Sequence, residues 1–259
     1  MSPDISPRKA LRLKILETVF NSGTGHLGGS LSSLDFIYTL YTSRFKDFKF
    51  VLSKGHASLA LYSVLDLLDS SFRLDDRYGS LSKLGDLHGH VSKKASDSIA
   101  LSCGSLGHGL PFSLGLSVSN SIKESSSSVI CLMGDGECQE GTTWESLLLL
   151  KKFSSTSLLI VIDNNQSQTS YNGFQISSII SMFSDLNLPV MQINGHDTES
   201  INSSISFFFS SNRPMLLVLN SIKGYGIPSI HNLEQWHAGK PSLKEYNAFK
   251  QEIIAFLES

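Results

Sequence analysis

Cysteine, long apolar runs and net charge are all scarce in this chain of 259 residues, and each scarcity excludes a class of protein. The three cysteines, Cys103, Cys131 and Cys138, are an odd number without CxxC spacing, so we expect neither a disulfide framework nor a zinc site. No apolar run approaches the roughly 18 residues that a membrane helix needs. The formal net charge is −2, so nothing favours nucleic acid or an anionic membrane as a partner.

The first residues, MSPDISPRKALRLK, are polar and lack the apolar core of a signal sequence, so we expect a cytoplasmic protein. Hydrophobic residues make up 41% of the chain and charged residues 17%, which allows a sizeable core. No internal repeat or linker indicates a second folding unit. Residues 1–259 are therefore predicted to form a single domain.

Short apolar runs alternate with segments of helical periodicity along the chain. The runs predict strands at 50–52, 129–133, 158–162, 190–193 and 215–219. The periodic segments predict helices at 8–20, 30–41, 57–68, 110–121, 198–210 and 242–257, with residues 70–100 mostly loop. This alternation predicts an α/β fold, a doubly wound, mostly parallel sheet with helices on both faces.

The stretch from Val129 to Gln166 is the most informative, because it is a strand, a helix and a second strand with polar residues after each strand. The intervening helix is expected to bury Trp144, Leu147 and Leu148 on one face. A right-handed crossover makes the two strands parallel, so residues that follow the strands meet at one edge of the sheet.

Asp135 follows the first of these strands and Asn165 follows the second. A carboxylate, a carboxamide and a backbone carbonyl are oxygen ligands that suit Mg²⁺ completed by water and phosphate. The glycines beside Asp135 permit close approach of a diphosphate, and the following helix offers unsatisfied N–H groups. Asp135 alone or Asn165 alone also fits an ordinary tight turn after a strand. The two together, at this spacing, predict a site for Mg²⁺ and a diphosphate cofactor.

Five of the eight histidines directly follow a glycine: His26, His56, His90, His108 and His196. A single Gly-His pair usually indicates a surface loop. Four in glycine-rich turns at element ends predict a cluster of accessible imidazoles. Such a cluster suits diphosphate binding and proton movement on a polyhydroxylated substrate.

Several segments, in this order, resemble transketolases. They are SGTGHLGGSLSSLDFIYTLY, FVLSKGHASLALYSVL, GSLGHGL, the GDGECQEG at 134–141 with Asn164-Asn165 beyond it, and IKGYGIPSIHNLEQWHAGKP. The resemblance covers about residues 10–242 and is to the domain that binds the diphosphate of thiamine diphosphate. It implies the fold of that domain.

The resemblance also implies roles for individual residues. Asp135 and Asn165 match Mg²⁺ ligands, with the backbone carbonyl of Ser167 as the third. The residues implied to line thiamine diphosphate are His56, Gly104, Ser105, Leu106, Gly136, Glu137, Asn165 and His237. Four residues are implied to act in catalysis. His26, His90 and His237 match histidines that contact the donor sugar and move protons. Glu140 matches the glutamate that links two cofactor sites.

Three positions depart from the common pattern of the family. His108 replaces a glutamine, and Val91 follows Gly89-His90 where a proline is common. The loop at 166–173 is two residues longer than usual, which weakens the assignment of Ser167. These differences are consistent with a subfamily that uses a different sugar.

The pyrimidine-binding and C-terminal domains of a full transketolase are absent from the sequence. The resemblance therefore implies the N-terminal subunit of a split transketolase, a transferase that moves a two-carbon ketol unit from a ketose to an aldose with thiamine diphosphate and Mg²⁺. It implies sugar or sugar-phosphate substrates and an α2β2 assembly with a C-terminal transketolase subunit, without which the chain is expected to be inactive.

Three alternative functions compete with the transketolase interpretation. A subunit of a 2-oxoacid dehydrogenase or of a deoxyxylulose-phosphate synthase shares the GDG…NN pattern, although SKGHASLALY and WHAG favour transketolase. A non-catalytic scaffold subunit would be favoured by eroded metal residues, which are intact here. A Rossmann nucleotide binder is disfavoured, since no GxGxxG follows the first strand.

Overall fold

The computed structural model describes residues 5–78, 87, 89–153, 156–167 and 176–257. The predicted loop between residues 79 and 86 and most of the long loop at 166–173 lie outside these residues. The predicted Ser167 lies within them.

The described residues form nine helices and five strands. The helices are α1 (Pro7–Ser22), α2 (Leu27–Thr42), α3 (Ser58–Leu68), α4 (Leu74–Arg77), α5 (Gly109–Ile122), α6 (Gly141–Leu150), α7 (Ile176–Asp185), α8 (Thr198–Ser211) and α9 (Leu243–Ala255). The strands are β1 (Phe48–Leu52), β2 (Ser128–Gly134), β3 (Leu158–Asn164), β4 (Val190–Asn194) and β5 (Met215–Asn220). All five predicted strands and seven predicted helices, including the helix between β2 and β3, are confirmed, whereas α4 and α7 were not predicted.

The five strands form one parallel sheet in the order β1-β2-β3-β5-β4. In the register of β2 and β3, Gly134 pairs with Asp163, so the residues that follow these strands leave the sheet side by side. Because all strands run in one direction, their carboxyl ends share one edge, where ligands bind in open α/β sheets.

Alternate residues of each strand point to two separate hydrophobic layers. In β3, Leu159 and Val161 join the layer that contains α1, α2, α3, α8 and α9. Leu158, Ile160 and Ile162 join the layer that contains α5, α6 and α7. Strands covered on both faces are continuously apolar, which explains the short apolar runs and confirms the doubly wound α/β fold.

The prediction that Leu148 is buried is wrong. Leu148 is 67% exposed, whereas Leu147 and Leu150 are buried at 2% and 1% exposure. Trp144 is half-buried, and its indole Nε1 donates a hydrogen bond of 2.9 Å to the carbonyl of Cys138. The apolar run from 147 to 150 permits more than one helical face, and packing of α6 against α5 selects the face with Leu147 and Leu150.

Helix α2 begins at Leu27, three residues before the predicted start, so Gly28 and Gly29 lie in its first turn. A Cβ on Gly29 would lie 2.7 Å from Cδ2 of His56, and one on Gly28 would lie 2.9 Å from Cγ of Lys223. The two glycines therefore let α2 approach the residues at the sheet edge. Among the described helices, none is long and apolar enough to cross a membrane.

Candidate functional site

A cavity opens at the carboxyl edge of the sheet, above β1, β2 and β3. Its lining includes Asp135 after β2, and Asn165 and Ser167 after β3. Asp135 and Asn165 are buried at 5% and 7% exposure. The predicted convergence of these two residues is confirmed, because both line the same cavity.

Asp135 presents one unused oxygen. Its Oδ1 accepts a hydrogen bond of 2.9 Å from the backbone N–H of Gly136, while Oδ2 is buried without a hydrogen-bond partner among the described residues. Burial raises the pKa of Asp135, and the nearby Lys54 ammonium opposes that rise. A buried carboxylate oxygen with no partner is costly, and a bound cation would remove that cost.

The carboxamide of Asn165 is held from both ends. Its Oδ1 accepts a hydrogen bond of 3.0 Å from the backbone N–H of Ser167, and its Nδ2 donates at 3.4 Å to Ser32 Oγ in α2. No cluster of three His, Cys, Asp or Glu side chains suited to a metal occurs in the described part of the chain. The oxygens of Asp135 and Asn165 thus match a hard cation that takes its other ligands from backbone, water or phosphate.

Four histidine rings gather beside these oxygens. The ring of His26 has its centroid 5.7 Å from His56, 5.1 Å from His90 and 5.5 Å from His237. The centroids of His56 and His237 are 5.2 Å apart. His56, His90 and His237 line the cavity, and His26 contacts all three rings from the start of α2. Of the four histidines predicted to cluster, His26, His56 and His90 do so, whereas His108 is exposed and outside the lining, so this part of the prediction is wrong. His237, which no glycine precedes, joins the cluster.

Burial keeps these imidazoles neutral. It lowers the pKa of His26 to about 4, with smaller contributions from His90 and His237, and it lowers the pKa of His56 to about 2, aided by the Lys54 ammonium. Burial also lowers the pKa of His90 and of His237. A neutral imidazole both donates and accepts hydrogen bonds, so the cluster can bind hydroxyl groups and exchange protons near neutral pH.

Two buried lysines in the lining were not predicted as site residues. Lys54 is 1% exposed, and its ammonium forms an ion pair of 2.7 Å with the buried Asp163. Lys223 is 3% exposed, and among the described residues its ammonium has no hydrogen bond or ion pair. Burial, followed by repulsion from Lys54, lowers the pKa of Lys223. The segments SKGH and IKGYG contain these lysines, but a lysine in a sequence most often lies at the surface.

Asp135 and Lys223 together indicate what the cavity can hold. Within the described part of the chain, Asp135 supplies a buried carboxylate oxygen without a hydrogen-bond partner, and the buried residue Lys223 supplies an ammonium without a hydrogen bond or ion pair. The former fits a divalent cation and the latter an anionic phosphate group. The residues present therefore fit a diphosphate with its metal ion.

Glu137 has a supporting position in the cavity wall. It is 1% exposed, and its carboxylate accepts hydrogen bonds from Ser53 Oγ at 2.5 Å, from the N–H of Gly107 at 3.0 Å and from the N–H of Gly134 at 2.8 Å. Burial raises its pKa, and these donors oppose the rise. Glu137 thus joins the loops after β1 and β2 to the turn before α5.

The remaining predicted residues lie on the rim or outside the lining. Gly104, Leu106 and Gly136 line the cavity, and Leu106 is 42% exposed at its mouth. Ser105 is exposed and is not part of the lining, and Glu140 lies half-buried directly before α6. Exposed His108 directly precedes α5.

The parallel sheet and the oxygen-, imidazole- and lysine-lined cavity define the class of an α/β domain that binds a phosphorylated cofactor. Residues 6–253 match the family model described as transketolase, thiamine diphosphate binding domain. The chain belongs to this transketolase family. The resemblance stated from the motifs is thereby confirmed.

The comparisons with individual proteins agree with this assignment. The A-subunit of apulose-4-phosphate transketolase from Phocaeicola vulgatus is 28% identical over 95% of this chain and 92% of that protein. The protein of the same name from Actinobacillus succinogenes is 27% identical over 95% of this chain and 94% of that protein. Human transketolase is 29% identical over 96% of this chain, which spans 42% of the human protein.

The fold is also shared with solved structures. The Pichia stipitis transketolase in complex with sedoheptulose-7-phosphate superposes with a TM-score of 0.82 at 19% identity, over 95% of this chain and 40% of that one. The predicted N-terminal subunit of a split transketolase, a transferase, is confirmed because two relatives that are themselves single transketolase subunits are matched over nearly their full length. The alternative functions are not favoured.

Proposed function

We propose that this chain binds thiamine diphosphate together with Mg²⁺ and acts, with a C-terminal subunit, in ketol transfer from a phosphorylated ketose to an aldose. The observation that carries the proposal is the buried Oδ2 of Asp135, which lies beside Asn165, together with the ammonium of the buried residue Lys223, both without a hydrogen bond or ion pair in the described residues. In this proposal Asp135, Asn165 and the carbonyl of Ser167 hold Mg²⁺, and the lysines neutralise the diphosphate.

Thiamine diphosphate, when bound, supplies the carbon nucleophile and the electron sink for cleavage and formation of the carbon–carbon bond. The chain's own residues bind, orient and move protons. His56, Gly104, Leu106 and Gly136 bind the cofactor along the cavity wall. The backbone there is close enough to contact a phosphate, because Gly104 and Gly136 have no side chain.

The histidines act on the sugar in this proposal. His26, His90 and His237 are neutral near pH 7, since burial lowers the pKa of each. Each ring can donate one hydrogen bond to a sugar oxygen and accept one from a hydroxyl group. His237 and His26 would take up and return the hydroxyl proton as the bond between the sugar carbons breaks and re-forms.

The names of the relatives support a proposal for the partner and the substrate. Because the relatives matched over 92% and 94% of their length are subunits named for apulose-4-phosphate, we propose a phosphorylated ketose of this kind as donor. The proposed partner is a C-terminal transketolase subunit. An α2β2 assembly and a cytoplasmic location complete the proposal. Glu140, outside the cavity lining and before α6, is the residue we propose to contact a second subunit.

Calorimetry with thiamine diphosphate and Mg²⁺ tests the cofactor site. Asp135→Asn keeps the size of the side chain but removes its charge, and we expect affinity to fall by more than the roughly 10- to 100-fold that is typical when a residue that only supports a metal ligand is lost. Asp47→Asn is the matched control, because Asp47 is exposed and precedes β1 at the opposite edge of the sheet. Binding that is equal in both variants would contradict the proposed metal site.

Activity and mass test the partner. The chain alone should show no ketol transfer, and addition of the C-terminal subunit should restore it with a particle mass of two copies of each chain. Full ketol transfer by the purified chain alone would contradict the need for a partner. A stable one-to-one complex would contradict the α2β2 assembly only.

A further inference from the structure

A buried chain of polar groups lies behind the cavity and ends at the segment that carries Lys223. We propose that His196 is a positioning residue, which holds the backbone at 222–226 so that the Lys223 ammonium points into the cavity. The functional value of that position rests on the proposed binding of a diphosphate. The geometry itself can be tested without any ligand.

Three residues from separate elements form this chain. Arg12 of α1, Asp35 of α2 and His196 after β4 are 1%, 0% and 1% exposed. Arg12 Nη2 donates to both carboxylate oxygens of Asp35 at 2.7 Å, and His196 Nδ1 lies 2.8 Å from Asp35 Oδ2. Asp35 therefore pairs with the Arg12 guanidinium and the His196 ring, and Arg8 Nη1 lies 3.4 Å from its Oδ1, so burial of this carboxylate is compensated.

The second ring nitrogen of His196 links these buried polar groups to the backbone beside Lys223. Nε2 accepts a hydrogen bond of 2.9 Å from the backbone N–H of Ile222, so the ring proton lies on Nδ1 and is donated to Asp35. The imidazole thus connects the carboxylate of α2 to the amide directly before Lys223. A side chain without both a donor and an acceptor cannot make this connection.

Further contacts fix the same segment. The rings of His196 and Tyr225 stack with centroids 3.4 Å apart and planes 7° apart. Gly226 has φ +103°, and a Cβ there would lie 2.6 Å from Cδ of Arg12. The N–H of Gly224 donates to the carbonyl of Gly28 at 3.0 Å, which joins the segment to the first turn of α2. The segment therefore packs closely against the Arg12–Asp35–His196 chain.

Lys223 depends on this backbone for its direction. Its ammonium has no hydrogen bond or ion pair in the described part of the chain, whereas Lys54 is held by Asp163. A long flexible side chain without a partner points where its backbone and its packing neighbours allow. Loss of the Ile222 hydrogen bond should consequently release Lys223 and leave Lys54 in place.

Acetylation of lysine side chains by acetic anhydride, followed by peptide mass spectrometry, measures this release on the full chain. His196→Phe retains a ring to stack on Tyr225 and removes both nitrogens. We expect the acetylation rate of Lys223 to rise several-fold in this variant while that of Lys54 is unchanged. His196→Gln, which can place an amide oxygen near the position of Nε2, should restore slow labelling of Lys223.

Each other result overturns the proposal. Equal acceleration at both lysines would show general loosening of the fold, and unchanged labelling of Lys223 would show that its position does not depend on His196. If His196→Phe does not fold, His196→Leu replaces it in the comparison, because leucine also lacks both ring nitrogens and the same selective rise in labelling of Lys223 is expected.

A double-mutant cycle with Mg²⁺ and inorganic pyrophosphate then tests the consequence for binding. His196→Phe should weaken affinity about tenfold, as expected when one charge-assisted hydrogen bond is lost. In the Lys223→Met background the same change should have no further effect, since His196 acts through Lys223. Additive losses would overturn the proposal. Absence of pyrophosphate binding by the wild-type chain would contradict the proposed function instead, and the labelling comparison would still decide the role of His196.

Discussion

Replacement of Lys54 by methionine should destabilise the chain through the charge it leaves behind. Lys54 and Asp163 are 1% and 0% exposed, and they form an ion pair of 2.7 Å in which Lys54 lines the cavity. Lys54→Met fills nearly the same volume but removes the cation. Asp163 then remains as a buried carboxylate without a charge partner.

The size of the effect follows from the donors that remain. Removal of one partner of a buried ion pair typically costs about 3–5 kcal/mol of unfolding free energy. Asp163 would still accept hydrogen bonds from Ser32 Oγ at 2.9 Å, from Ser33 Oγ at 2.5 Å and from the Ser221 hydroxyl. Three retained hydroxyl donors solvate part of the charge, so we expect a loss near the lower limit, about 3 kcal/mol.

The effect should also depend on pH. Burial alone would raise the pKa of Asp163, and in the wild type the Lys54 ammonium with the serine hydroxyls outweighs burial and lowers it. That stabilisation is present at neutral pH and is lost as pH falls through the folded pKa. In Lys54→Met, burial raises the pKa of Asp163. Asp163 therefore becomes protonated as pH falls, and the variant no longer carries the free-energy cost of a buried charge. The difference between the two proteins should therefore shrink from pH 7 to pH 4.

Urea denaturation followed by circular dichroism at both pH values measures these free energies. Lys223→Met is the matched control, because it removes a second buried lysine of the same cavity that has no ion pair in the described residues. Burial lowers the pKa of Lys223, so its charge costs stability at neutral pH, and its removal should leave stability equal or higher. A Lys54→Met loss below about 1 kcal/mol, or one equal at both pH values, would refute the role of the buried Asp163 charge.

Three further predictions concern the histidines, the glycines and the metal. Burial lowers the pKa of His26 to about 4, so protonation of His26 in the unfolded chain should reduce stability as pH falls below 6.5. In urea denaturation at pH 7 and pH 5, His26→Asn should lose less stability between the two pH values than the wild type. An equal loss in both proteins would contradict this prediction. Gly29→Ala should displace His56 and weaken thiamine diphosphate binding about tenfold, as measured by calorimetry. Gly115→Ala, which has open space at its Cβ, should leave binding unchanged. Equal effects of the two variants would contradict the need for close approach of Gly29 to His56. A chelator should abolish thiamine diphosphate binding and Mn²⁺ should restore it; binding in excess chelator would contradict the metal site.

The sheet and the position of the site could be predicted because their signals are local. Strands β2 and β3 are buried on both faces and are therefore continuous apolar runs, predicted within two residues of their observed ends. Parallel crossover then brings the residues after these strands to one edge, which suffices to place Asp135 beside Asn165. The glycines that precede His26, His56 and His90 marked the turns from which these rings reach the histidine cluster.

Helix α7 and the exposed face of α6 could not be predicted in the same way. The segment ISSIISMFSD is rich in serine, which has no strong helix preference, and it buries only Ile179 and Phe183. In α6 four leucines follow one another, so periodicity cannot select the buried ones. Contacts with neighbouring elements decided both cases.

The sequence by itself determined the parallel α/β architecture, the family, the oxygen pair after β2 and β3, and the glycine-bordered histidines. These properties depend on patterns of residues near one another in the chain, or on motifs in a fixed order. Only the tertiary structure decided which polar groups are buried and paired. Lys54 and Asp163 are 109 positions apart, and Asp35 and His196 are 161 apart, so no local pattern connects them. The free energy of a buried charge depends on partners that only folding brings within a few ångströms. The burial of Lys223 and the proposed positioning role of His196 could therefore be recognised only from the tertiary structure.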